Sequence, residues 1–392
     1  MTFDADQIQK ALCEEHLDGW LLYDFHGSNP ISRRIAGLSN SKKMTTRRWY
    51  YLIPTVGNPR ALVHDIERDS LAHLPGERIT YGKRAELTAG LATLLHGLHR
   101  VALEYSPECA IPYVSRVDAG TVDVLRGLGL ELVSSGNLAQ LFEAVWDEAA
   151  VVTHQIASQH LYIIKDRTFA LIRDRLADNT LTEYSVQQQM VEWFKEFDLV
   201  TDSAPVVATQ VSSGNPHYLP TATAHRHIGP GQVVLLDLWG KLDTFGSVYA
   251  DITWVGYTGA NIEEKAVEIF GVARDARDAA ISLIVNRVSA SSSISGWEVD
   301  REARNVVEGA GYGNYFLHRT GHSLGEEVHG NGVHMDDYET HDERHLIAGS
   351  GFTIEPGIYL EEFGVRTEIN MYIRNSDAIV TGPCQSELIT LA

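Results

Sequence analysis

Short apolar runs alternate with amphipathic stretches along the first 145 residues. Residues 17–24 read as a strand, and residues 49–54 and 60–64 flank a Val56-Gly57-Asn58-Pro59 turn, the signature of a hairpin. Residues 101–105 and 130–133 predict two later strands, with a helical segment over residues 112–128 between them. From about Leu138 to Leu176 the spacing changes. Ala149, Val152, Ile156, Leu161, Ile164, Phe169 and Ile172 recur at close to the helical period, which predicts one or two long helices joining two domains. Residues 181–185 open another helix that runs to about Phe197. Beyond Pro205 the pattern is one of strands and hairpins, interrupted by helices near residues 263–288 and 299–310. An α/β domain over residues 1–145 therefore precedes an α+β domain over residues 146–392. A chain of 392 residues is long enough to need two cores.

Composition narrows the function classes. Hydrophobic residues make up 44% and charged residues 21%, as in ordinary globular proteins, and no apolar run approaches the length of a membrane span. The net charge of −20 repels a phosphate backbone and makes nucleic acid a poor partner. Cys13, Cys109 and Cys384 are odd in number and far apart, and no CxxC pair occurs, so neither a disulfide framework nor thiolate zinc is expected. The acidic start, Met1 to Asp6, lacks the features of a secretory signal. These readings together predict a cytoplasmic protein.

The chemistry lies in two hairpins. In residues 233–239 a single acid, Asp237, follows four apolar residues, and burying it is costly without a partner. The chain turns through residues 241–246 and returns over residues 248–255 with Asp251. A hairpin centred near Thr244 sets Asp237 opposite Asp251, about 5 Å apart. Residues 352–360 and 365–373 repeat the arrangement, and a centre between Glu361 and Glu362 sets Glu355 opposite Glu368. One such acid alone is best read as an exposed strand carboxylate. Two matched pairs in apolar strands call for a cation between them. His322 lies between the hairpins, flanked by small residues and bracketed by His318 and His329. Oxygen-rich ligands with one imidazole suit Mn²⁺, Co²⁺ or Zn²⁺. Four carboxylates offer enough oxygens for two cations with a bridging water, leaving other histidines to stabilise an oxyanion and move protons.

At these residues the chain resembles the pita-bread metallopeptidases: aminopeptidase P, Xaa-Pro dipeptidase, methionine aminopeptidase and the metal-free relative creatinase. The resemblance rests on Leu236-Asp237, residues 250–253, residues 318–325, Glu327-Val328-His329, residues 353–359 and residues 365–368. It implies a C-terminal pita-bread catalytic domain preceded by a smaller creatinase-type α/β domain, and a homodimer. The implied activity is that of an exopeptidase, most like an Xaa-Pro dipeptidase, acting on a small peptide with proline second. Carried over by position, Asp237 and Asp251 hold one metal, His322 and Glu355 hold the other, and Asp251 and Glu368 bridge. Glu355 is also the acid/base. His329 and His217 match the substrate and oxyanion histidines, His318 lines the proline side, and Arg366 steadies the site.

Three departures stand out. Asp237 and Asp251 are fourteen residues apart, wider than is usual in the family, so the hairpin turn must bulge. His341 occupies the place, ahead of Arg344-His345-Leu346, where prolidases often carry an arginine for the substrate carboxylate. A basic cluster, Lys42-Lys43 with Arg47-Arg48, is the substitute in view. Aminopeptidase P activity on longer peptides, a creatinase-like C–N hydrolase and a non-catalytic binding module are the competing readings.

Overall fold

A computed structural model describes residues 3–38 and 45–392. Two units, Met1–Glu143 and Ala144–Ala392, separate by their internal contacts. In the first, strands β1 (Gly19–Asp24), β2 (Trp49–Pro54), β3 (Arg60–His64), β4 (Glu77–Tyr81), β5 (Arg100–Leu103) and β6 (Glu131–Ser134) form one sheet in the order β4-β3-β2-β1-β5-β6. Helices α1 (Ala5–Glu14), α2 (Pro30–Ile35), α3 (Arg84–Leu94), α4 (Ala119–Gly127) and α5 (Gly136–Glu143) accompany it. The β2–β3 hairpin is antiparallel, and β4, which the hydrophobic pattern does not mark, pairs with β3 in parallel. Its residues, ERITY, are mostly exposed, so burial left no apolar run there to read. The predicted helix over residues 112–128 is a short 3₁₀ turn, Pro112–Val114, followed by α4, whose N-cap Asp118 accepts from Thr121 N at 2.9 Å. Leu21, Tyr23 and Val101 pack with α3 and α4, while Trp20, Leu22 and Ala102 pack with α1, α2 and α5, so apolar groups cover both faces of the sheet.

The second unit opens with α6 (Glu148–Arg175), capped by Asp147, and α7 (Glu183–Glu196), which starts with a Thr182/Ser185 capping box. Strands β7 (Leu199–Val200), β8 (Val206–Thr209), β9 (Val233–Leu242) and β10 (Ala250–Tyr257) follow, then α8 (Glu264–Ser289) and α9 (Gly296–Gly309). The remaining strands are β11 (Ser323–Leu324), β12 (Gly351–Ile354), β13 (Gly357–Tyr359), β14 (Gly364–Arg366), β15 (Ile369–Arg374), β16 (Asp377–Val380) and β17 (Ile389–Thr390). Leu236, Leu238, Ile252 and Trp254 carry one face of the β9–β10 hairpin against α6 and α7. Val233, Leu235 and Val255, at one end of the other face, pack with α8 and α9. The rest of that face carries Asp237 and Asp251. No helix among the described residues is long and apolar enough to cross a membrane.

The first hairpin corrects the expected register. Asp251 stands opposite Trp239, and Asp237 opposite Thr253. The turn explains this: Gly246 takes φ +74°, Ser247 N donates to Thr244 O at 3.2 Å, and Ser247 Oγ donates to Leu242 O at 2.6 Å. These bonds move the hairpin centre from Thr244 to Phe245. The acids become diagonal neighbours, and because strand side chains alternate with a period of two, both stay on one face. The second hairpin differs in another way. Each of its strands breaks at the acid: β12 ends at Ile354, before Glu355 and Pro356, whose ring nitrogen cannot donate, and β14 stops before Thr367 and Glu368. Ile354 pairs with Ile369 and Gly357 with Arg366, so the register read through the break sets Glu355 across from Glu368.

Buried His154, on α6, accounts for part of the acid sensitivity expected of this unit. Its Nδ1 meets Tyr249 O at 2.8 Å and its Nε2 meets Thr381 Oγ1 at 2.8 Å. Burial holds its pKa down from 6.5 to about 4. The native state therefore refuses a proton that the unfolded chain accepts, and stability falls as pH drops from about 6.5 towards 4. His154→Gln is expected to remove about 3 kcal/mol of that fall, read from urea unfolding of variant and wild type across this pH range.

Candidate metal centre

Backbone hydrogen bonds tie the two hairpins into one site. Glu368 N donates to Thr253 O at 3.1 Å, and Glu355 N donates to Thr320 O at 2.7 Å. Asp251 N donates to Asn370 Oδ1 at 3.0 Å, and Asn370 Nδ2 returns a bond to Asp251 O. Gly321 allows the segment with His322 to lie against β12, because a Cβ there would stand 2.1 Å from Thr353 O. His322 N in turn donates to Thr353 Oγ1 at 3.0 Å.

Asp251, His322 and Glu368, all buried, each direct a ligand atom to a common point, with these atoms within 4.8 Å of one another. His322 Nε2 stands 3.4 Å from Glu355 Oε1 and 3.6 Å from Asp251 Oδ2. Its Nδ1 faces Ser323 O at 3.2 Å. A carbonyl only accepts, so Nδ1 carries the proton and Nε2 turns a lone pair toward two carboxylates. Buried Asp251 Oδ1 receives no hydrogen bond. Acceptors facing acceptors in a buried site are costly, and a divalent cation among them removes the conflict. The donor set thus fits a metal ion.

The electrostatics agree. Burial, then Glu368, Asp237 and Glu355, drives the Asp251 carboxyl well above its usual range. Burial, followed by Glu355 and Asp237, does the same to Glu368. Glu355 is raised to about 7 by burial, against the pull of Arg366. His322 is driven well below its ordinary value by burial and by His329, which keeps the imidazole neutral and fit to bind a metal.

Asp237 lies at the edge of this cluster, paired with the Arg366 guanidinium. Arg366 also donates to Thr253 Oγ1 at 2.9 Å and to Tyr359 OH at 3.2 Å, and its Nε is 3.9 Å from Glu355. His318 Nδ1 meets Arg319 O at 2.7 Å, so its Nε2 accepts from Tyr359 OH, 2.7 Å away. Burial, then Arg366, lowers the His318 pKa to about 3. The His329 ring is 4.3 Å from that of His322, edge to face. Desolvation of the ring, then Arg319, lowers its pKa to about 4 against the opposing pull of Asp202, and His217 adds to the lowering. His217 itself sits on an exposed loop after the 3₁₀ turn Gln210–Gly214, with its backbone N–H on Asn215 Oδ1 at 3.0 Å. Buried Glu183 fixes this loop by accepting from Tyr218 OH and, at 2.7 Å, from Arg226 N.

Sequence reasoning passed over Thr253, Thr353, Asn370 and Tyr359. Thr253 Oγ1 donates to Glu368 Oε2 at 2.7 Å, and Thr353 Oγ1 donates to Glu355 Oε1 at 3.2 Å. The signal for both was position: each lies two residues from a candidate ligand, on the same strand face. His341 is engaged elsewhere, with Asp337 Oδ1 at 2.6 Å and stacked on Trp297. Lys42 and Lys43 lie outside the described residues. Arg47 N donates to Glu67 Oε2 at 3.0 Å and Arg47 Nη1 to Thr46 Oγ1 at 3.0 Å.

The description of metallopeptidase family M24 matches residues 149–375, more than half of the chain. An Xaa-Pro dipeptidase of Lactobacillus helveticus is 34% identical over 164 residues, 42% of this chain and 40% of that protein. One of Pyrococcus horikoshii is 33% identical over 187 residues, 47% of this chain and 49% of that protein. The matches thus span about half the length of these curated relatives. Among solved structures, a recombinant prolidase from Thermococcus sibiricus aligns over 100% of this chain and 99% of its own, with a TM-score of 0.63 at 22% identity, a likeness of fold.

Proposed function

This chain belongs to metallopeptidase family M24, and on that premise we propose that it is an exopeptidase hydrolysing the Xaa-Pro bond of dipeptides. The observation that carries the reading is His322 Nε2 facing Glu355 at 3.4 Å and Asp251 at 3.6 Å, beside a buried carboxylate oxygen with no donor. Asp237, Asp251, His322, Glu355 and Glu368 would hold two divalent cations, with Mn²⁺ the first choice. Such cations, once bound, would supply a water of lowered pKa and a Lewis acid for the scissile carbonyl.

The remaining work falls to the side chains. Glu355 takes the water proton and returns it to the imide nitrogen of proline. His329, held neutral, and His217 donate N–H to the developing oxyanion. His318, held by Tyr359, lines the proline side. Arg366, paired with Asp237, holds it in place. Residues 1–145 and 146–392 serve as an accessory α/β domain and a catalytic domain. A cytoplasmic location fits three free, exposed cysteines, and a homodimer is the assembly that the family resemblance implies.

The name Xaa-Pro dipeptidase, carried by two curated relatives, supports reading dipeptides rather than longer peptides as the substrate here. With Mn²⁺ present, Xaa-Pro dipeptides are expected to be cleaved and a chelator to stop the reaction. Cleavage restricted to Xaa-Pro-Xaa and longer peptides would move the assignment to aminopeptidase P.

A further inference from the structure

The acid-bearing face of the β9–β10 hairpin does not end at the carboxylates. Trp239 stands directly opposite Asp251 and two residues beyond Asp237, on the same face as both. It is half-buried and packs on the cluster that contains Tyr249 and Leu324. Its indole N–H donates to Asp202 Oδ1 at 2.7 Å. That bond satisfies the one polar group of the ring and leaves it to present apolar surface. The groups around Asp237 differ in kind: Arg366, Tyr359 and His318 gather there in a hydrogen-bonded chain. The site therefore has a polar end at Asp237 and an apolar end at Trp239.

We propose that Trp239, braced by Asp202, walls the subsite for the side chain of the residue preceding the scissile bond, and that it selects large apolar side chains there. The proposal rests on the peptidase reading above, in which His318 faces proline and the opposite end is left for the preceding residue. Acids lie at this end: exposed Asp202 and Glu327 both act electrostatically on Tyr249, in the cluster that Trp239 packs on. One nearby cation, Lys241, is engaged with Glu326 O at 2.6 Å and lies over the Tyr249 ring, and a second, Arg319, is buried. Leucine, methionine and phenylalanine suit such a wall, and aspartate and glutamate are repelled.

The test compares kcat/KM on Gly-Pro, Leu-Pro, Phe-Pro and Asp-Pro for wild type, Trp239→Ala, Trp239→Phe and Asp202→Ala, each with Mn²⁺. Wild type is expected to prefer Leu-Pro and Phe-Pro. Trp239→Ala should collapse the Leu-Pro to Gly-Pro ratio by about tenfold or more. Trp239→Phe should keep most of that ratio, and Asp202→Ala should give an intermediate loss. An equal loss on all four dipeptides, or an unchanged ratio in Trp239→Ala, would overturn the proposal. A second readout needs no turnover: the thermal shift of Mn²⁺-loaded protein with leucine hydroxamate against glycine hydroxamate. The leucine compound should give the larger shift in wild type and lose that advantage in Trp239→Ala, whereas equal shifts in wild type would sink the subsite. Wild type that cleaves no Xaa-Pro dipeptide yet shows the hydroxamate difference would refute the proposed activity and leave the subsite standing.

Discussion

Asp251→Asn is expected to abolish hydrolysis of Xaa-Pro dipeptides and, with metal stripped away, to melt at a higher temperature than equally stripped wild type. The two effects have one cause. Asp251 is buried beside Glu368, Asp237 and Glu355, and its carboxyl is driven well above the usual range. Without a cation the native state holds like charges together, and an uncharged isostere relieves that repulsion. With a cation, the same carboxylate is a ligand. Even changes outside the ligand sphere cost about 10- to 100-fold in metal affinity or activity, so loss of the ligand itself should exceed that. The pH dependence carries a definite sign. A carboxyl whose pKa is raised binds a proton in the native state that the unfolded chain has already lost. Stability of the stripped wild type should therefore decline as pH rises from the ordinary carboxylate range through about 7, the value for Glu355. Mn²⁺ should reverse the decline in wild type and do little in the variant. Calorimetry of stripped and loaded samples at several pH values checks each part. A stripped Asp251→Asn less stable than stripped wild type would contradict the account.

Arg366→Met is expected to destabilise the stripped protein by about 3–5 kcal/mol, the usual result of removing one partner from a buried ion pair. Burial works against the Arg366 charge, but Asp237, then Tyr359, Glu355 and Glu368, hold it firmly protonated. Its removal strands Asp237 beside three other acids and frees Tyr359 OH from one of its partners. Activity should fall with it, because Asp237 loses the group that fixes its orientation. The double variant Asp237→Asn/Arg366→Met separates charge from packing: it should recover much of the lost stability and none of the activity. Urea unfolding of the single and double variants measures both terms. A double variant no more stable than Arg366→Met would assign the loss to packing.

Much of the architecture was legible because burial leaves a period. Helix α6 came from apolar spacing near 3.6, α7, α8 and α9 were read as helical intervals between strand-rich stretches, and β9 and β10 came from apolar runs broken by one acid. The short exposed strand β4 left no such trace. The candidate ligands were legible for a related reason. A carboxylate in an apolar strand is costly enough to need an explanation, and four of them in two hairpins need a common one.

Register was less secure. The second hairpin has a tight turn, and counting outward from Glu361 and Glu362 gives its pairing. The first has a longer turn whose own hydrogen bonds take up residues, and counting placed its centre one residue too early. The error did no harm to the cluster because a two-residue slip keeps each side chain on its face.

The order of residues alone thus determined which groups carry charge into apolar strands, and on which face, since alternation along a strand is a local property. Only the folded chain decided which atoms meet. Trp239 flanks Asp251 because the first turn sets its own register, whereas His322 Nε2 faces Asp251 and Glu355, and Arg366 turns to Asp237, because segments distant along the chain are tied by bonds such as those from Glu368 N to Thr253 O and from Asp251 N to the Asn370 side chain. Contacts of that range depend on packing of the whole unit, which no local pattern encodes.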